Sequence, residues 1–221
     1  MAGAEASPFL AFIERPAPPD LRAPRALHAC VHAWHSLHSL HSLHSSHSSH
    51  SSHRNNIVTD LRPPPTSLLD AYRGAEFQAL YVTTVRVSGG EARHARASGC
   101  IRSDDGALDI VLRLPEEMGG DGGGTNPEQL FAAGYGACFH GALNLLAARH
   151  GIAIDDCAVH VTVAFGRDPV DGRHTITADL VVKLPGHDRT SAERLVRETE
   201  RICPYAKMAR EGIASTVRVE T

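Results

Sequence analysis

The side chains in this sequence best suited to chemistry are its five cysteines, Cys30, Cys100, Cys138, Cys157 and Cys203. A thiol that loses its proton is a nucleophile and a metal ligand, and it can enter a reversible oxidation ladder. Kept neutral, the same side chain is a small hydrophobe that packs well beside alanine. An odd, sparse count argues against a framework of structural disulfides, so each cysteine is either a filler or a reactive thiol. Cys138 lies in the apolar stretch LFAAGYGACFHGALNLLAA, and Cys203 directly precedes Pro204. For Cys138 the residues alone leave both readings open; a Cys-Pro junction at a helix end is the more exposed place, which favours reactivity at Cys203 somewhat more. Cys100 and Cys157 fall in strand-like runs and read as fillers. Cys30 belongs to an N-terminal tract unlike the rest of the chain.

Histidine is the second candidate. From His32 to His53 it recurs every third residue, in HSL units that drift to HSS units. Clustered imidazoles of this kind bind zinc, nickel or copper. A slipped nucleotide repeat, or a start codon placed too far upstream, produces the same pattern. Outside the N-terminal tail the histidines (His94, His140, His150, His160, His174 and His187) are scattered without paired ligand spacing, so neither a metal nor a cofactor is expected there. His140, two positions after Cys138 on a helix, points away from it. The glycine loop GGDGGGT lacks the Gly-Lys-Ser/Thr ending of a phosphate-binding loop and does not fit a dinucleotide fingerprint.

These residues need elements to position them. The Ser- and His-rich tract cannot bury enough surface to offset its ordering entropy, and Pro63-Pro64-Pro65 marks its end. Residues 1–66 are therefore expected to form an unstructured tail and residues 67–221 the folded domain. Apolar spacing in SLLDAYRGAEFQALY predicts a short lead-in helix. LYVTTVRVS alternates and is β-branched, and two further strand-like runs follow near 94–102 and 107–114, joined by Ser103-Asp104-Asp105-Gly106. Asn126, Pro127 and Glu128 then suit the N-cap and first turn of a helix that runs to about His150 and stops at Gly151. With no polar face, that helix is expected to be buried on all sides. Strands near 157–165 and 174–184 turn through Asp171-Gly172. A second helix has capping-box spacing at Thr190 and Glu193 and ends where Pro204 interrupts it at Cys203, and Ile213–Glu220 reads as a closing strand. The order predicts an α+β fold with its helices sandwiched by sheet.

Composition narrows the classes. An apolar fraction of 42% and a charged fraction of 21% are ordinary for a globular protein. A net charge of −3 gives no electrostatic reason to expect nucleic acid or an anionic membrane as partner. No run of 18 or more residues is uninterruptedly apolar, so no membrane span is expected. The first residues carry Glu5 and no basic region ahead of an apolar patch, which does not read as a secretory signal. A cytoplasmic location is the expectation.

Two motifs carry a resemblance. GTNPEQLFAAGYGACFHGAL (124–143) and RICPYAKMAREGI (201–213) resemble the signatures of organic hydroperoxide resistance (Ohr) proteins in the OsmC/Ohr superfamily. VSGG, SDDG and LRLPEEMGGDGGG are similar to the family's N-terminal strands and loop at consistent spacing, so the likeness covers about 78–221. The resemblance implies that Cys138 is the peroxidatic cysteine and Cys203 the resolving one. It further implies that Glu128 pairs with an arginine beside the reactive thiolate. Family members usually carry that arginine soon after the Gly-Gly, where this chain has the longer EARHARASG. Arg96 keeps the expected spacing to Ser103-Asp104 and is preferred, with Arg93 second. AKMAR after CPY departs from the family's small-polar run and touches only the rim near Cys203.

The chemistry implied is that of a thiol peroxidase. A guanidinium favours the Cys138 thiolate, which attacks the peroxide, expels an alcohol and becomes a sulfenic acid. Cys203 condenses with it to a disulfide, and an external dithiol, in this family resembling dihydrolipoamide on lipoylated proteins, reduces that disulfide by exchange. Phe131, Tyr135 and Phe139 around Cys138 suit an alkyl or fatty-acid hydroperoxide. The resemblance also implies an intertwined homodimer with sites at the interface, which would cover so apolar a helix. A general OsmC-type peroxidase and, from another class, a metal-binding protein acting through the histidine tract are the alternatives. Removing residues 1–65 discriminates the latter, because peroxidase activity survives that cut and metal binding does not.

Overall fold

The computed structural model describes residues 65–91 and 97–221. The expected tail, apart from its last two residues, lies outside them, as do Arg93 and Arg96.

Three strands, β1 (Val85–Ser88), β2 (Ser98–Ser103) and β3 (Asp109–Arg113), form an antiparallel sheet in the order β1-β2-β3. The turn between β2 and β3 closes as its residues dictate. The Gly106 N–H donates to the Ser103 carbonyl at 3.0 Å with Gly106 at φ +73°, and the Asp105 carboxylate accepts from the Ala107 N–H. After β3 the glycine loop is stitched back onto the sheet. The Thr125 N–H donates to the Val111 carbonyl and the Arg113 N–H to the Thr125 carbonyl, both at 2.9 Å. Thus the first residues of the next helix are held at a fixed distance from β3.

That helix, α1, runs Pro127–His150. Asn126 caps it by accepting from the Gln129 N–H at 2.8 Å, and the Gln129 side chain accepts from the Asn126 N–H at 3.3 Å, a full capping box. Pro127 fills the first position, and Gly151 ends the helix at φ +66°. Two ten-residue strands, β4 (Ala158–Arg167) and β5 (His174–Lys183), form a second antiparallel sheet. One face of it, carrying Val159, Val161, Leu180 and Val182, packs against α1 and its neighbours. Helix α2 (Arg189–Ile202) buries Leu195 and Thr199, and α3 (Pro204–Glu211) buries Ala206. The core is one layer of helices on one face of β4–β5, divided into a cluster around Phe139 and another around Leu143.

Several expectations are corrected. The lead-in helix is a single 3-10 turn, Thr66–Leu69; beyond it the segment has too few partners to repay helix nucleation. Only Val85–Ser88 of the LYVTTVRVS run is paired as strand, and residues 213–220 form no strand within the chain. Leu80, Tyr81, Val82, Ile213, Val217 and Val219 are exposed. A strand is defined by its neighbour, and these segments find none among the described residues. The cap of α2 is Asp188, which accepts from the Ser191 N–H at 3.0 Å, so the helix starts before Thr190. Pro204 does not merely stop α2; as a proline at the first position it opens α3.

The all-round burial expected of α1 holds on one face only. Tyr135, Phe139, Leu143, Leu146 and Ala147 are buried, whereas Ala133, Ala137, Gly141 and Ala148 are exposed in the single chain. By length and composition, α1 is the one described helix long and apolar enough to cross a bilayer. Its buried face meets the alternating strand β4 and the amphipathic α2, the setting of a core helix. Helix α1 lies on β4 and α2 packs against α1, and within the described residues of one chain no second sheet closes over α2 as the expected sandwich would require.

Candidate active site

Cys138 and Cys203 arrive from different elements. Cys138 lies midway along α1, on the edge of its buried face. Cys203 is at once the C-cap of α2 and the N-cap of α3. Its N–H donates to the Thr199 carbonyl at 2.9 Å, and its own carbonyl accepts from the Lys207 N–H at 3.0 Å. Pro204 sets the corner between the helices, and the corner aims the side chain at α1. The two sulfurs are 3.6 Å apart, with both thiols free. A disulfide at about 2.05 Å would need an approach of roughly 1.5 Å, within reach of side-chain rotation.

The two thiols differ in surroundings. Cys203 is fully buried, and Cys138 is half-buried. Both belong to the cluster of Tyr135, Phe139 and Ala206, flanked by Phe131, Val161 and Tyr205. Burial pushes the Cys203 thiol above its ordinary value; backbone N–H groups of Ala206 and Tyr205 in the first turn of α3 oppose this, and the hydrogen bond to Cys138 adds to it. A neutral thiol is a donor, so Cys203 donates to the Cys138 sulfur. Burial likewise pushes the Tyr135 phenol up, with Cys203 nearby as a lesser cause. Tyr135 sits between Phe131, which it meets edge to face, and Tyr205, whose ring is tilted against it, each ring centroid 6.0 Å from its own. Gly134 leaves the space this needs, since a Cβ there would come within 3.1 Å of the Tyr205 hydroxyl.

This arrangement can do one thing readily. A half-exposed sulfur can meet a reagent from outside, and a buried neutral thiol beside it can trap the oxidised product. Glu128 is half-buried in the first turn of α1, where the helix dipole favours a carboxylate. It lies ten positions from Cys138, about 15 Å along the axis, so it reaches the sulfur only through an intervening group. Arg96, expected to be that group, lies outside the described residues. No set of three or more potential metal ligands occurs among the described residues.

Similarity to known proteins falls on the same residues. The model of the family described as OsmC-like protein matches residues 120–218, a span that includes Glu128 and both cysteines. The organic hydroperoxide resistance protein OhrB of Bacillus subtilis is 41% identical over 135 residues, covering 61% of this chain and 94% of its own. The chain belongs to the organic hydroperoxide resistance proteins of the OsmC/Ohr superfamily. The OhrB crystal structure superposes with a TM-score of 0.52 over 60% of this chain and 93% of that one. The organic hydroperoxide resistance protein of Xanthomonas axonopodis pv. citri is 39% identical, covering 63% of this chain and 94% of its own. An Ohr crystal structure from Legionella pneumophila, at 36% identity, gives a TM-score of 0.54 over 61% and 93%. The Ohr relatives are thus spanned nearly whole, and their shared α+β fold is that of this chain.

One constellation is invisible in the sequence. His140 points away from Cys138, as helical spacing requires, and meets Cys157, with 3.4 Å between Nε2 and Sγ. No local pattern signals that meeting, because it joins a helix to the residue before a strand.

Proposed function

We propose that the chain is a thiol-dependent peroxidase that reduces organic hydroperoxides to alcohols. The observation that carries this is the 3.6 Å contact between a half-exposed and a fully buried thiol within an aromatic cluster. Family membership supports the substrate class, since the Ohr relatives are named for resistance to organic hydroperoxides.

In the proposed cycle the Cys138 sulfur attacks the distal peroxide oxygen, the O–O bond breaks, and an alcohol leaves with Cys138 as sulfenic acid. Cys203, held neutral by burial, competes poorly for peroxide but lies within reach of the sulfenic sulfur. It loses its proton on attack, water leaves, and the Cys138–Cys203 disulfide forms, which protects Cys138 from sulfinic acid. An external dithiol, of the kind carried on a lipoylated protein, restores both thiols by exchange. Arg96 supplies the guanidinium beside the Cys138 sulfur and Glu128 positions it. Phe131, Tyr135 and Phe139 favour an alkyl or fatty-acid chain over hydrogen peroxide. Such a cycle fits the reducing cytoplasm, where dithiol reductants are supplied.

The working form in this reading is an intertwined homodimer. Val217 and Val219 alternate with polar residues, and Tyr81 and Val82 stand side by side, yet all four are exposed. An open apolar groove of about 510 Å³ between β5 and α2, floored by Leu180, Val182 and Val196, stands uncovered as well. A second copy would pair the former and close over the latter, along with Ala133 and Ala137 of α1.

The test is mass spectrometry of reduced protein after one equivalent of cumene hydroperoxide, beside Cys138→Ser and Cys203→Ser. The expected products are a Cys138–Cys203 disulfide in the native sequence and sulfenic or sulfinic Cys138 in Cys203→Ser. Unmodified Cys138 in both would remove the peroxidase reading.

A further inference from the structure

The corner that carries Cys203 lacks a donor, and a side chain from α3 supplies it. In a continuing helix the Glu200 carbonyl would accept from the N–H four residues on. That residue is Pro204, which has no N–H to give. The carbonyl before it is served by backbone, since Thr199 accepts from the Cys203 N–H at 2.9 Å. For Glu200 the donor is a side chain: Arg210 Nη1 donates to the carbonyl oxygen at 3.2 Å and to Oε1 of the same residue at 3.4 Å. The guanidinium thus ties the last turn of α3 to the last turn of α2 across the proline. The helix dipole favours a basic residue in the last turn of α3, but it does not account for that reach back to Glu200. The ion pair alone would count for little, because both side chains are exposed. The bond to the carbonyl differs in kind, because it gives a helix-end acceptor the donor that Pro204 cannot. The pair also lies near the thiols. Burial is the main cause that raises the Tyr135 phenol, Cys203 is the next, Glu200 adds to it and Arg210 opposes it.

We propose that Arg210 is a positioning residue for disulfide formation, holding the α2–α3 corner so that Cys203 stays within reach of Cys138. The proposal rests on the peroxidase reading and assigns Arg210 to its second step. In that step the Cys203 sulfur bonds to the sulfenic sulfur of Cys138, and the thiol proton leaves with the sulfenic hydroxyl as water. The two sulfurs come from different elements, one from the middle of α1 and the other from the corner. The step therefore depends on how much of the time the corner keeps them at the 3.6 Å contact. Attack on the peroxide uses only the sulfur carried by α1 and does not need the corner held. Arg210 acts through the backbone of Glu200 and so bears on resolution rather than on attack.

The experiment gives the full reduced chain a single exposure to cumene hydroperoxide over a range of concentrations, without a reductant. The initial rate of peroxide loss reports attack. Peptide mass mapping then gives the concentration at which Cys138 ends equally as sulfinic acid and as the Cys138–Cys203 disulfide, which reports resolution against over-oxidation. For Arg210→Met, which keeps the bulk and removes the donors, the initial rate is expected to be unchanged. The crossover concentration is expected to fall about tenfold, the scale on which one hydrogen bond from a charged donor biases two states. Glu200→Ala removes the carboxylate and keeps the carbonyl, and is expected to leave the crossover where it is. Should Arg210→Met not fold by circular dichroism, the shorter, uncharged Arg210→Gln takes its place with the same expectation. An unmoved crossover in the Arg210 variant overturns the proposal. So does a slowed attack that accompanies the shift, or a shift in Glu200→Ala as large as in the Arg210 variant. Unmodified Cys138 in the unaltered chain removes the peroxidase reading and this proposal with it. A disulfide formed by the unaltered chain and as readily by the Arg210 variant removes this proposal alone.

Discussion

At the scale of single residues, the two thiols at the candidate site are made unlike by burial rather than by identity. Because Cys203 is held above its ordinary value, the folded reduced protein binds its proton more tightly than the unfolded chain does. This contribution to stability is fully present below the unfolded thiol value of about 8.5 and is lost as pH rises through the folded one. Reduced protein should therefore lose urea resistance above that pH more steeply than Cys203→Ala, with the denaturation midpoint measured from pH 7 to 10. Parallel curves would mean that Cys203 does not titrate differently in the two states. In turnover, Cys203→Ser should consume one to two equivalents of peroxide, as Cys138 passes to sulfenic and then sulfinic acid, and then stall, whereas Cys138→Ser should consume none, by peroxide consumption assay. Both cysteines were legible through the motifs around them. Their contact was not, because it depends on a corner set by Pro204 and on packing between residues 65 positions apart. Arg96 rests on a spacing alone and lies outside the described residues, and the contact of Cys157 with His140 was not legible at all.

Among the elements, those that announce themselves are the ones whose ends carry their own chemistry. Asn126, Pro127 and Gly151 bound α1 without reference to any tertiary contact, and the structure adds Gln129 as the reciprocal partner. Replacing Asn126 with Ala should cost about 1 kcal/mol, read from urea denaturation, since one cap acceptor is lost. Gly124→Ala should cost more than that, because its Cβ would fall 2.9 Å from the Val111 carbonyl in the stitch that joins loop to sheet. An equal or smaller loss would show that the stitch has slack. By contrast, the lead-in helix and the 213–220 strand are misread for one shared reason. Periodicity states what a segment is fit for, while only a neighbour makes it an element. Helix α3 is missed for the opposite reason, since a proline reads as a stop until the residues after it are seen to continue.

For the whole molecule, the apolar surface left open by one chain has a consequence in solution. Light scattering on a sizing column should give a mass about twice 23.7 kDa. The double variant Val217→Glu and Val219→Glu should move it toward that of one chain, because it places charge on the segment that would pair. A single-chain mass for the unaltered protein would leave those apolar segments without explanation.

The corner residue also ties covalent chemistry to conformational entropy. A bond between Cys138 and Cys203 would close a loop of 65 residues, and excluding that loop's open conformations from the unfolded ensemble is worth about 4 kcal/mol. Around a thermodynamic cycle, whatever the bond adds to folding the fold must return to the bond. Oxidised protein should therefore melt well above reduced protein. By the same amount the folded chain would hold its disulfide more tightly than an unfolded peptide does, and so demand a stronger reductant to reset it.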